Sequence, residues 1–140
     1  YARGRANEIL DAKYPNPGER PNIELSGNAK TWWEKYKDCY GGSSSDVNAA
    51  KKGAIMVWGG GKSRYGHVAV VEEVNRNEDG TVKNVLYSES SWGGIPYVGK
   101  GAKDNATSYW GCQQRNVEGI NNVKDGEGNV MDFLGYLYLD

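Results

Sequence analysis

One histidine, one phenylalanine, two cysteines and two methionines are all that 140 residues hold of these types. Each scarcity excludes something. A lone imidazole cannot build a histidine-rich metal centre, and neither C-x-x-C nor H-x-x-x-H spacing occurs, which argues against zinc. Cys39 and Cys112 could pair, but one bridge is not a disulfide framework. Neither sign of charge dominates: 17 basic and 18 acidic side chains leave a net charge of −1. No basic stripe therefore speaks for nucleic acid. No apolar run approaches the roughly 18 residues of a membrane span, and no signal peptide is recognisable. The reading is of a soluble chain with no nucleic-acid or membrane partner. Internal repeats and low-complexity tails are also absent, and the length suits one domain with one core.

Glycine and amphipathic aromatics are plentiful, with 20 glycines, ten tyrosines and five tryptophans. Such rings suit grooves that contact polar, sugar-like or peptide ligands. Ordinary packing in a β-rich domain accounts for most of them. Trp58, Tyr65 and Trp92 are the exceptions, because they lie close to the histidine or to its expected partners in the sequence.

From Tyr1 to about Tyr14, Ala2, Ala6, Ile9, Leu10 and Lys13 recur at helical spacing, with Arg3, Arg5, Glu8 and Asp11 on the other side. This helix must stop before Pro15. A second helix is expected from Ala29 to about Tyr40, with capping candidates in Ser26-Gly27-Asn28 and an apolar stripe of Ala29, Trp32, Trp33 and Tyr36. Beyond Lys52 the chain turns into strands separated by glycines: Gly53 to Trp58, His67 to about Val74, Val82 to about Ser90, and Val130 to Leu139. The segment Trp92 to Gly111 carries no readable element. Helices followed by antiparallel strands make an α+β domain.

The second and third strands meet across Asp79-Gly80, a strong hairpin signal. This pairing puts His67 opposite a residue between Glu89 and Trp92. For Glu89 and Ser91 to share its face, the loop must have an odd number of residues or a strand must carry a bulge, and one of these is expected. An imidazole held by a carboxylate through one nitrogen is fixed in tautomer, which leaves the other nitrogen free as a general base. Such a base needs a nucleophile. Ser91 lacks a nucleophile elbow, Cys39 is expected at a helix C-terminus that disfavours thiolate, and Cys112 is expected in a loop.

Five runs occur in a suggestive order: Tyr1-Ala2-Arg3-Gly4-Arg5-Ala6, Gly27-Asn28-Ala29-Lys30-Thr31-Trp32, Gly53-Ala54-Ile55, Gly66-His67-Val68-Ala69-Val70-Val71 and Ser88-Glu89-Ser90-Ser91-Trp92. Together they resemble the CHAP family, the cysteine- and histidine-dependent amidohydrolases/peptidases that cut bacterial peptidoglycan. Phe133-Leu134-Gly135-Tyr136-Leu137-Tyr138 is similar to that domain's last strand. The resemblance implies a papain-like fold, with N-terminal helices packed on a central antiparallel β-sheet and residues 1–140 forming one catalytic domain. It implies a nucleophilic cysteine just before Tyr1, where a helix N-terminus favours thiolate.

By the same resemblance, His67 is the base and Glu89 the acid that orients it. Ser91 stands where the family often has Asn and either orients the ring or lines the pocket. Tyr1, Trp58, Tyr65 and Trp92 are the expected substrate-binding residues. Some relatives bind calcium, but Asp125-Gly126-Glu127-Gly128-Asn129 lacks EF-hand spacing, so no metal and no cofactor are expected. The implied activity is an N-acetylmuramoyl-L-alanine amidase or peptidoglycan endopeptidase, secreted or phage-encoded and released through a membrane pore. Its partner is bacterial peptidoglycan, and a cell-wall-binding or second lytic domain is expected in the full-length protein. The competing readings are a wall-binding module without a nucleophile, or an enzyme that uses Cys39 or Cys112.

Overall fold

The computed structural model describes residues 2–16, 29–39, 41–59, 66–91, 109–124 and 128–139. Helix α1 spans Ala2–Lys13, ending two residues before Pro15 as the sequence requires. A 3₁₀ turn at Ala29–Thr31 leads into α2, Trp32–Tyr36. The strands are β1 Ser43–Ser44, β2 Ile55–Gly59, β3 His67–Arg76, β4 Val82–Ser91, β5 Tyr109–Arg115 and β6 Asp132–Leu137, with a short helix α3 at Val117–Ile120. They form one six-stranded antiparallel sheet in the order β1-β6-β2-β3-β4-β5. Among the described residues, no helix is long and apolar enough to cross a membrane.

Strand β2 sits in the middle because its sequence suits no other place. Ile-Met-Val-Trp-Gly is buried along its whole length, so both faces must be covered. Ile55 and Val57 lie in one cluster with Ala6 and Leu10 of α1, Trp32 and Tyr36 of α2, and Leu137 of β6. Met56 and Trp58 lie in the other, with Ala69, Val71, Val85, Tyr87, Ile120 and Tyr136. Each large apolar side chain withdrawn from water contributes about 1.5–3 kcal/mol before chain entropy is counted.

Several elements depart from expectation. The second helix ends at Tyr36 rather than near Tyr40. Cys39 N–H closes back on Tyr36 C=O at 3.0 Å, and Gly42 adopts φ +85°, so the chain turns instead of continuing the helix. Gly41 N–H then donates to Tyr138 C=O, and the Ser43-Ser44 pair becomes a strand only because β6 lies alongside. Strand β5 begins inside the segment that carried no readable element. It is an end strand of the described sheet with exposed Cys112 and Gln114 alternating with half-buried Gln113 and Arg115, so it lacks the apolar alternation that betrays a strand. Cys112 is thus a strand residue, not a loop residue. Cys39 and Cys112 are both free thiols.

Where β6 crosses β1, Gly135 has φ +145°. A Cβ there would lie 2.2 Å from the Ser44 carbonyl oxygen and 2.7 Å from the Trp33 ring. The β2–β6 ladder shifts register beside it, with Val57 facing Gly135 but Trp58 facing Phe133. Only glycine fits a strand position with that dihedral and that close an approach.

Candidate active site

The hairpin that positions the site starts from local turn chemistry. Asn77 N–H donates to Thr81 C=O at 2.8 Å, which leaves Glu78, Asp79 and Gly80 as a three-residue loop, with Gly80 at φ +86°. The Asp79 carboxylate accepts from Thr81 Oγ1 (2.5 Å) and from Thr81 N–H (2.9 Å). These donors hold its carboxyl below the usual value. The odd loop places Arg76 opposite Val82. Strand β4 then carries one extra residue, Lys83, so that Asn75 faces Asn84. Strand β3 carries another, Glu72, so that Val71 faces Tyr87. The two bulges cancel.

Continuing that restored register from Val70–Ser88 puts position 67 opposite position 91, and Glu89 opposite Ala69. Glu89 is therefore a diagonal neighbour of His67 on the same face, within reach of a long side chain. The imidazole and carboxylate meet, with Nε2 of His67 2.5 Å from Oε2 of Glu89. A carboxylate has no proton to give, so Nε2–H donates and Nδ1 carries the free lone pair. The glutamate side chain is 7% exposed and the histidine 20%, so the bond lies largely out of water while the ring stays partly exposed. Short charge-assisted bonds of this kind are roughly twice as strong as neutral ones.

Aromatic side chains line the inner side of this pair. Trp58 pairs with His67 across β2 and β3, and their ring centroids lie 5.5 Å apart. Trp58 also touches Tyr87 and Phe133, and its Nε1–H donates to Ile120 C=O at 2.8 Å. Tyr87 accepts a hydrogen bond from Arg115 Nε at 2.8 Å. Burial pushes the Tyr87 phenol well above its ordinary value; the nearby Glu89 charge adds to this and Arg115 opposes it.

Of the residues expected from the sequence, the fold brings His67 and Glu89 together. Ser91 ends β4, paired with Tyr109 of β5 at the level of His67. Trp58 requires correction. It is 0% exposed, so it underlies the imidazole instead of lining a groove. The unbroken apolar run of β2 was the signal, since a strand buried on both faces leaves no side chain for ligand. Tyr1, Tyr65, Trp92 and residues 125–127 lie outside the described residues. Ile120, Phe133, Tyr87 and Arg115 were not anticipated, because no local pattern ties them to the histidine.

The thiols are placed elsewhere. Cys39 donates to the Lys35 carbonyl at 3.6 Å and packs with the α1–α2 cluster. Cys112 pairs with Ser88, whose side chain alternates to the face away from Glu89. Among the described residues, no three His, Cys, Asp or Glu side chains gather as a metal site would require.

A family model described as CHAP domain matches residues 1–91, which include both His67 and Glu89. A search of curated proteins and a search of solved structures each returned no match.

Proposed function

Because the chain belongs to the CHAP domain family, whose hydrolases act on peptidoglycan in the bacterial cell wall, we propose that it cleaves an amide bond there by a Cys-His-Glu mechanism. The observation that carries this reading is the bond between His67 Nε2 and Glu89 Oε2, made by an imidazole that stays partly exposed. In this reading the fold is papain-like and the nucleophile is a cysteine preceding Tyr1 in the full-length protein. Cys39 and Cys112 are set aside in this reading, because the partners of His67 among the described residues are Glu89 and Trp58, while Cys39 donates to the Lys35 carbonyl and Cys112 lies opposite Ser88 on β5.

The steps follow from the tautomer. Nδ1 of His67 takes the thiol proton, and the thiolate attacks the amide carbonyl carbon. The tetrahedral oxyanion is stabilised by backbone N–H groups. As the C–N bond breaks, Nδ1–H protonates the departing amine and a thioester remains. Water, deprotonated by the same nitrogen, hydrolyses the thioester and returns the thiol. Glu89 holds Nε2–H throughout and stabilises the imidazolium that forms twice per cycle. Ser91 orients the ring or lines the pocket, and Tyr1, Tyr65 and Trp92 flank the substrate. The protein is secreted, or phage-encoded and released through a pore, and carries a wall-binding or second lytic domain.

Turbidity loss of a cell-wall suspension treated with the full-length protein tests the assignment. His67→Ala is expected to abolish it, and retained lysis in that variant overturns the mechanism. Mass spectrometry of the digested wall then separates amidase from endopeptidase, since each leaves different new termini. The alternative is a module that binds wall without cutting it. Wall binding with no new termini would favour it.

A further inference from the structure

We infer that Trp58 is a positioning residue for His67, and that the carbonyl of Ile120 sets its orientation through the indole N–H. The functional meaning of this inference rests on His67 acting as the base. One hydrogen bond fixes a point on a ring, not its plane. Held only by Glu89 at Nε2, the imidazole can still swing about the bond to Oε2, which would carry the free Nδ1 away from a nucleophile. A surface beneath the ring removes that freedom. Trp58 supplies one, with centroids 5.5 Å apart and ring planes tilted by 38°.

A surface positions another group only if it is itself immobile. The Trp58 indole is wholly buried, with Phe133 packed edge-on at 5.4 Å and Tyr87 at 5.6 Å. Packing alone permits small rocking about the two side-chain torsions. The bond from Nε1–H to Ile120 C=O, at 2.8 Å and across 62 residues of sequence, stops it. Ile120 is the last residue of α3, where carbonyls have no partner within the helix and are free to accept. Helix α3 is in turn started by Asn116, whose side chain accepts from Gly119 N–H at 2.8 Å. Ile120, Phe133 and Asn116 all lie outside residues 1–91, the part matched by the family. The C-terminal segment thus orients the central histidine through one indole.

The single histidine makes the test direct, because its ring resonances need no assignment among others. In ¹⁵N-labelled protein, wild type is expected to show one tautomer, protonated at Nε2, with slow exchange of that proton with water. Trp58→Phe keeps an aromatic ring but removes the indole N–H. It is expected to speed Nε2–H exchange about tenfold, the equivalent of losing a bond of about 1.4 kcal/mol. Asn116→Ala, which touches neither ring, is expected to move exchange the same way by a smaller factor. A folded Trp58→Phe protein with unchanged exchange and tautomer overturns the inference. If that variant does not fold, unchanged exchange in Asn116→Ala overturns it instead. In the full-length enzyme, Trp58→Phe should lower kcat with KM unmoved. The ring measurements decide the inference even if the full-length protein proves not to lyse walls.

Discussion

Glu72 of β3 and Lys83 of β4 are each the extra residue of a bulge in the same ladder, and the second offset undoes the first. Between them the strands run one residue out of step. Beyond Glu72 the step is restored, and the diagonal from His67 to Glu89 exists only because of that restoration. Glu72 is also held by the Ser88 hydroxyl, which donates to Oε1 at 2.8 Å, so this bulge is tied in place.

Inserting one alanine between Ser88 and Glu89 should move Glu89 from opposite Ala69 to opposite Val68 and turn it to the other face. A buried carboxylate would lose its partner, and the expected loss is about 3 kcal/mol or more in urea unfolding, together with the slow His67 Nε2–H signal. Deleting Lys83 takes out only the extra residue of its bulge and leaves every other pair of the ladder in place. That deletion should keep the histidine signal, and a lost signal there, or a kept one in the insertion variant, contradicts the register argument.

Glu89 is expected to act in two separable ways. Glu89→Gln keeps an oxygen that can accept from Nε2–H but removes the charge that stabilises imidazolium, so kcat should fall roughly 10²-fold. Glu89→Ala removes both and should fall further, towards the level of His67→Ala. Initial rates of wall lysis by full-length variants give the order, and equal activity of Glu89→Ala and wild type would exclude a role in orienting the base.

At Gly135 the nearest atom to a new Cβ is a backbone oxygen, which no rotamer change relieves. Gly135→Ala should therefore destabilise by at least about 3 kcal/mol, from strained φ plus overpacking. Adding Trp33→Ala should not restore it, because the Ser44 carbonyl is the closer obstacle. The midpoint of chemical denaturation measures both.

Alkaline stability should break at the phenols. Burial raises both Tyr87 and Tyr136 well above the ordinary value near 10. A group raised on folding holds its proton longer in the native state than in the unfolded chain. The associated stability is complete below about pH 10 and is lost as pH climbs toward the folded values. Unfolding free energy measured across that range should be flat below about pH 10 and decline above it. Tyr136→Phe should flatten part of the decline while losing the bond from Tyr136 O–H to Val47 C=O.

Much of this arrangement follows from chemistry local to the chain. Pro15 bounds the first helix, an Asp-Gly turn makes the hairpin, and the period of two in a strand requires an odd loop or a bulge if His67 and Glu89 are to meet. These are consequences of steric limits and backbone hydrogen bonds within a few residues, so they can be read without a fold. The places of the two bulges, the pairing of β5 with β4 and the 3.6-residue stripe of α2 cut short at Tyr36 answer to distant partners instead. So does Trp58, whose indole could have faced a ligand until β6 and α3 closed over it. Burial is a property of what packs on top of a residue, and for Trp58 that cover comes from the far end of the chain.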